Sequence, residues 1–169
     1  MERWLDIKSA VVADTVYCDG RLAAKDVSIT MPAITFKTAE VQAMGSLELP
    51  LYHLMEQMDL VVARVGLDLG LGRMLKLGKQ SVECRWVQTS TKADGSTKPE
   101  GCKAFFSVVP KSLGEIGLEI GESTQVDHTY SVMREQLFVG GKEVLLVDKL
   151  AGKLRINGVD YSKEMDSLL

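Results

Sequence analysis

The sequence predicts a mainly antiparallel β domain carrying one helix. Turn signals at Asp19-Gly20, Asp94-Gly95, Gly140-Gly141 and Asn157-Gly158 separate runs rich in Val, Ile, Thr, Phe and Tyr. Within those runs apolar and polar residues alternate, as a half-buried strand requires. A helical period occurs in one segment, between residues 51 and 78.

In chain order, Asp19-Gly20 joins Ala10–Cys18 to Lys25–Thr30 as a hairpin, in which Val27, Ile29 and Met31 alternate with Ser28 and Thr30. Pro32 lacks the donor that a central strand needs, which predicts a kink in one long bent strand resuming at Ile34–Thr38. A second hairpin pairs Gln80–Thr89 with Gly101–Pro110 across the polar tip Lys92–Pro99. Val82, Cys84 and Trp86, with Ala104, Phe106 and Val108, form its apolar face. Ser81, Glu83, Arg85, Lys103 and Ser107 form its wet one. A third hairpin joins Ser123–Val139 to Lys142–Val147 through Gly140-Gly141, with Val126, His128, Tyr130 and Val132 on one face. The Asn157-Gly158 turn follows Lys153–Ile156. Between 51 and 65, Leu51, Leu54, Met55, Met58, Val61, Val62 and Val65 fall at the spacing of an amphipathic helix.

The 169 residues suit one domain over 1–169. A hydrophobic fraction of 46% with 25% charged residues excludes disorder as the main state. The net charge of −3 leaves no positive excess for gripping a run of phosphates. No stretch reaches the ~20 apolar residues of a membrane-spanning helix. Met1-Glu2-Arg3-Trp4-Leu5-Asp6 places charges where a signal peptide has its apolar core, which predicts a chain kept in a cytoplasm. Cys18, Cys84 and Cys102, odd in number and widely spaced, read as free thiols.

Catalytic and metal chemistry finds little to stand on. His53 and His128 lie far apart, and His53 with Glu56 lacks the second histidine of a zinc motif. His128 reads as a partly buried strand residue satisfied by a neighbour. No nucleophile elbow occurs, and the glycines of Gly66–Gly78 match neither phosphate-loop pattern. Glu115 and Glu119 sit in a Gly-rich loop, Ser112–Glu122, as solvated carboxylates. The expectation is no enzyme, no cofactor and no metal. Long strands with one charged face and many bare edges instead call for a neighbouring copy to pair or protect them.

Several segments resemble the major tail tube proteins of contractile-tailed bacteriophages and of R-type bacteriocins. They are Asp19-Gly20 followed by Asp26–Ile34 with its Pro32, then Lys37–Glu40 and Met44-Gly45, then Phe138–Val144 with Gly140-Gly141, Val147-Asp148, and Ile156-Asn157-Gly158-Val159-Asp160. The resemblance spans nearly the whole chain. It implies an antiparallel β-sandwich or barrel related to type VI secretion tubes, with strands near Gly45–Pro50 and Glu56–Val65 and one helix at about 67–77, replacing the helix that periodicity predicts. It further implies hexameric rings stacked head to tail, with four strands per subunit in a continuous 24-stranded inner barrel. At a strand spacing of about 4.8 Å, such a barrel is roughly 45 Å across, enough for a duplex to pass. The implied partners are the chain itself, the sheath, tape measure, baseplate and terminator proteins. Double-stranded DNA would cross the lumen unbound. The implied setting is the virion tail, after assembly in the host cytoplasm. Ser81, Glu83, Arg85, Lys103 and Ser107 are candidates for the lumen face. Lys92, Asp94, Gly95 and Lys98 in the hairpin tip, with Glu115 and Glu119 in the Gly-rich loop, are candidates for ring-to-ring contacts. A soluble β-barrel binding a small ligand in its core is the alternative; a core pocket and a stable monomer would mark it.

Overall fold

A computed structural model describes residues 6–169, so the reading of Met1–Leu5 lies outside the described residues. Twelve strands and two short helices follow in the order β1 (Ile7–Cys18), β2 (Arg21–Lys25), β3 (Ser28–Thr30), β4 (Phe36–Gln42), β5 (Ser46–Met55), β6 (Asp59–Val65), α1 (Leu71–Met74), β7 (Gln80–Thr91), β8 (Thr97–Ser112), β9 (Gln125–Val139), β10 (Lys142–Asp148), β11 (Lys153–Ile156), β12 (Val159–Asp160) and α2 (Lys163–Leu168). Every strand pair is antiparallel, and the main sheet runs β12-β11-β10-β9-β8-β7-β1-β2.

The long strand β9 divides this sheet into two leaves. Its first half, Gln125–Ser131, carries β6 on the side away from β8, and its second half, Arg134–Val139, carries β10. The β6 leaf extends to β3, which curls back over β1. Asp14 receives the backbone amide of Val27 on its Oδ1 at 2.8 Å and that of Asp26 on its carbonyl at 3.2 Å. Val16, Leu60, Val62, Val82, Cys84, Phe106, Val108, Tyr130 and Val147 fill the space between the leaves as one core. The sheet curls without closing on itself.

Several expectations are corrected. Asp19-Gly20 is a hairpin turn with φ of 50° and 78°, but the strand it feeds is Arg21–Lys25 rather than Lys25–Thr30. A two-residue turn of this hand sets register at once, and the next segment then leaves for β6. The single bent strand through Pro32 does not form: residues 31–35 are irregular, and Phe36–Gln42 joins a separate sheet with β5. The helix expected at about 67–77 contracts to one turn, Leu71–Met74, because glycines on both flanks and within it favour turning over helical extension. A second helix, α2, is added where one was expected. The helix that periodicity predicts over 51–65 is two strands, as the resemblance implies.

Two close approaches pin the loops at one end of the leaves. A Cβ built on Gly70 falls 2.1 Å from the Ala23 carbonyl oxygen, and one on Gly114 falls 2.1 Å from that of Asp127. Both obstacles are backbone, which cannot swing aside. Gly70→Ala and Gly114→Ala are each expected to lower stability by about 1–3 kcal/mol, as overpacking does. Gly117→Ala, where a Cβ meets open space, is the neutral control. Urea melts of the three variants check this; equal midpoints would refute it.

Candidate assembly surfaces

The face that the resemblance assigns to a lumen is assembled by cross-strand register. Ser81 lies opposite Ser107 and Arg85 opposite Lys103 on β7 and β8, all outside the core. Like charges set directly opposite repel, and the neighbours of Arg85 answer that. Its Nε donates to Glu83 at 2.6 Å, and its guanidinium lies 4.5 Å from the Tyr17 ring centroid. The face continues over β9 to β11 through Arg134, which meets Asp148 at 3.8 Å, and Arg155, whose Nε bonds Glu143 at 2.6 Å. The Arg155 guanidinium, with the Gln136 amide, holds the Glu143 carboxyl below the usual carboxylate range. Among the described residues Lys103 forms no ion pair. Phe105 and Phe138 pack edge to face at 5.7 Å here, so the surface is aromatic as well as charged.

The two loop groups expected to touch other copies stand at opposite ends of β8. Lys92, Asp94, Gly95 and Lys98 lie in or beside the exposed tip between β7 and β8. Asp94 closes that turn by accepting from the Ser96 amide at 2.9 Å and hydroxyl at 2.6 Å, which holds its carboxyl low. Glu115 and Glu119 are exposed at the far end, where β8 hands over to β9. The remaining motif residues act as joints. Asp19 Oδ1 accepts from the Ser81 amide at 3.0 Å, and its Oδ2 pairs with Lys76 at 2.8 Å. Gly140-Gly141 and Asn157-Gly158 are turns with positive φ at both positions. Asp160 accepts from the Ser162 amide at 2.9 Å and hydroxyl at 2.5 Å, launching α2. Pro32 sits in the irregular link before β4.

Sequence reasoning passes over a third surface. Strands β4 and β5 form an arm that stands off the main sheet as a two-stranded ribbon. Register places Ala39, Val41, Leu47, Leu49 and Leu51 on one face, and Glu40 opposite Glu48 on the other. The four large apolar residues of the first face, with Met44 at the tip, are exposed. An isolated ribbon of two strands is marginal in water, and this one displays leucines as a buried strand would.

The interior holds polar groups that a search for catalysis would single out. Arg64, only 2% exposed, reaches Asp68 at 2.5 Å and the Ala23 carbonyl at 3.4 Å. Burial, and then the nearby Arg64 charge, lower the pKa of His128, whose two ring nitrogens have no hydrogen-bond partner. The expected neighbour that satisfies His128 is therefore missing, and the residue directly across from it on β6 is the apolar Val62. Burial pushes the Cys18 and Cys84 thiols up to about 11 and about 12, away from thiolate reactivity. All three cysteines are unbridged and buried. Among the described residues no three potential metal ligands converge, and no helix is long and apolar enough to cross a membrane.

Comparison with known proteins agrees with this architecture. The profile of the family described as phage tail tube protein FII matches residues 9–169. A chain of the sheath–tube complex of PVC, an extracellular contractile injection system in its extended state, superposes with a TM-score of 0.51 at 12% identity, covering 75% of this chain and 88% of that one. A chain of the PVC sheath/tube terminator gives 0.51 at 13% identity, covering 74% and 92%. A chain of the tube-terminating cap of the anti-feeding prophage gives 0.51 at 14%, covering 75% and 87%. At these identities the likeness concerns the fold. No curated protein sequence matches the chain.

Proposed function

The chain belongs to the phage tail tube protein FII family and is a structural subunit of a contractile tail or injection tube, and from that premise we propose that it builds the tube by closing into hexameric rings that stack head to tail. The observation that carries this reading is the β4–β5 arm, an apolar ribbon displayed outside the fold, which a second copy of the chain would cover. Edge-rich sheets support it too: β1 pairs with β7 along its length but with β2 only from Thr15 onward, leaving Ile7–Ala13 without a strand partner on one side.

In this reading the subunit acts by shape, without a reaction or cofactor. The face bearing Ser81, Glu83, Arg85, Lys103 and Ser107 lines the passage, and its ion pairing leaves few cations to retain a passing DNA duplex. The sheath lies around the tube and the tape measure within it, and terminator and baseplate proteins close its ends. The protomer assembles in the host cytoplasm and ends in the particle. A ligand-binding barrel would need a core chamber, whereas Leu60, Met74, Phe106 and Tyr130 occupy that position.

Negative-stain microscopy with sedimentation, at low and high concentration, tests the reading. The expected result is annular or tubular particles with a central hole and a species near six times 18.5 kDa, roughly 110 kDa. A monodisperse monomer at every concentration, with or without a preformed baseplate, would overturn it.

A further inference from the structure

Resting on that self-assembly reading, we propose that the two ends of the long sheet are complementary docking surfaces, so that the β7–β8 tip of one copy seats on the β8–β9 loop of the next. The ends are far apart. β8 runs 16 residues between them, roughly 50 Å at about 3.3 Å per residue. They also differ in chemistry.

At the tip end Lys92 and Lys98 are exposed, and Lys142 joins them beyond the Gly140-Gly141 turn. None of the three belongs to an ion pair among the described residues. The acidic groups here are largely occupied: Asp94 is held by Ser96, and Glu100 pairs with Lys8 at 2.6 Å, leaving Asp6. Beside the lysines, β1 exposes Ile7, Val11 and Val12.

The loop at the far end has the opposite charge, beside Lys79 and Lys111 near the adjoining strand ends. From Ser112 to Asp127 the chain holds Glu115, Glu119, Glu122 and Asp127 and no Lys or Arg. The three glutamates are exposed and outside every ion pair among the described residues. Between them Leu118 and Ile120 are 78% and 103% exposed. The loop is not idle slack. Gly114 lies against the Asp127 carbonyl, and the Gly66 amide donates to the Thr124 carbonyl at 2.7 Å, so the backbone is anchored while its apolar side chains point outward.

A basic surface with apolar neighbours therefore faces one way, and an acidic surface with apolar neighbours faces the other. Two different patches on one molecule give a heterologous contact, which propagates as an open stack rather than closing a pair. Opposite charges steer the approach and set its polarity, and salt weakens them.

Charge reversal tests the assignment. Lys92→Glu with Lys98→Glu, and separately Glu115→Lys with Glu119→Lys, change only exposed positions, so an unchanged thermal melt confirms folding. Sedimentation and particle length in about 0.1 M salt are then compared. Each pair is expected to reduce stacked material at least tenfold while ring-sized particles persist, and all four changes in one chain are expected to restore stacking. Stacking that ignores both reversals, or that the combined chain does not recover, overturns the proposal while leaving the self-assembly reading standing. A wild-type chain that forms neither ring nor stack overturns both.

Discussion

Leu47→Glu together with Leu49→Glu is expected to abolish self-assembly while leaving the subunit folded. Both leucines lie on the apolar face of the arm and are 47% and 44% exposed. Covering a fully exposed leucine contributes about 1.5–3 kcal/mol, so covering the exposed half of each contributes about 1 kcal/mol, repeated at every contact of a ring. The substitution removes that gain and requires two carboxylates to be desolvated, which costs several kcal/mol more unless they find partners. Within the free subunit the same change touches a two-stranded ribbon and none of the main core, so unfolding free energy shifts by less than about 1 kcal/mol. Glu40 and Glu48, already opposite one another on the other face, accept from the Ser46 and Thr38 hydroxyls respectively and show that this ribbon tolerates acid. Sedimentation velocity and microscopy read the assembly, and a circular dichroism melt reads the fold. Tubes of normal length from this variant would remove the arm from the interface. A collapsed melt would mean that the leucines serve the subunit's own stability.

The arm also explains where the sequence could be read and where it could not. Alternation located β7 and β8 with the correct faces because both are half-buried, with Val82, Cys84 and Phe106 turned in and Ser81, Glu83 and Lys103 turned out. Residues 51–65 misled for a physical reason. The pairing of Phe36 with Met55 and of Lys37 with Leu51 slips three extra residues into β5, and Glu56–Met58 breaks the strand again before β6. Each slip shifts the phase of a two-residue period, and the sum imitates a period of 3.6. The arm's leucines deepen the confusion, since apolar residues meant for a partner look the same in sequence as residues meant for a core. Among the candidate surface residues, register brought Ser81, Glu83, Arg85, Lys103 and Ser107 together. Tyr17, Phe105 and Phe138 share that face but fall outside the candidate set, because an aromatic ring on a solvent face reads in sequence like one meant for a core. A bulge beyond Val132 likewise moves Glu135 and Leu137 into the interior phase, where simple alternation would put Arg134 and Gln136.

That buried Glu135 is expected to make the subunit less stable at pH 8 than at pH 5. Its side chain sits between Phe106 on β8 and Val147 on β10, is 3% exposed, and leaves Oε2 without a hydrogen-bond partner. Burial alone pushes its carboxyl up to about 7, from an ordinary value of 4.5. Between those values the folded chain binds a proton that the unfolded chain has released. Stability therefore falls as pH rises through the window and levels off above it. The full drop is about 3 kcal/mol at 1.4 kcal/mol per pH unit, a large part of a typical domain's stability. His128 acts in the opposite sense. Its lowered pKa means that the unfolded chain takes up the proton first as pH falls below the ordinary histidine range, so its contribution is lost on the acid side. Comparing variants separates the two effects. Glu135→Gln keeps the shape, cannot ionise, and is expected to flatten the decline between pH 5 and 8, raising stability at pH 8 and changing little at pH 5. Urea midpoints at half-unit steps of pH measure the slopes, and a Glu135→Gln profile parallel to the wild type across that range would show that the carboxyl is already ionised in the folded subunit.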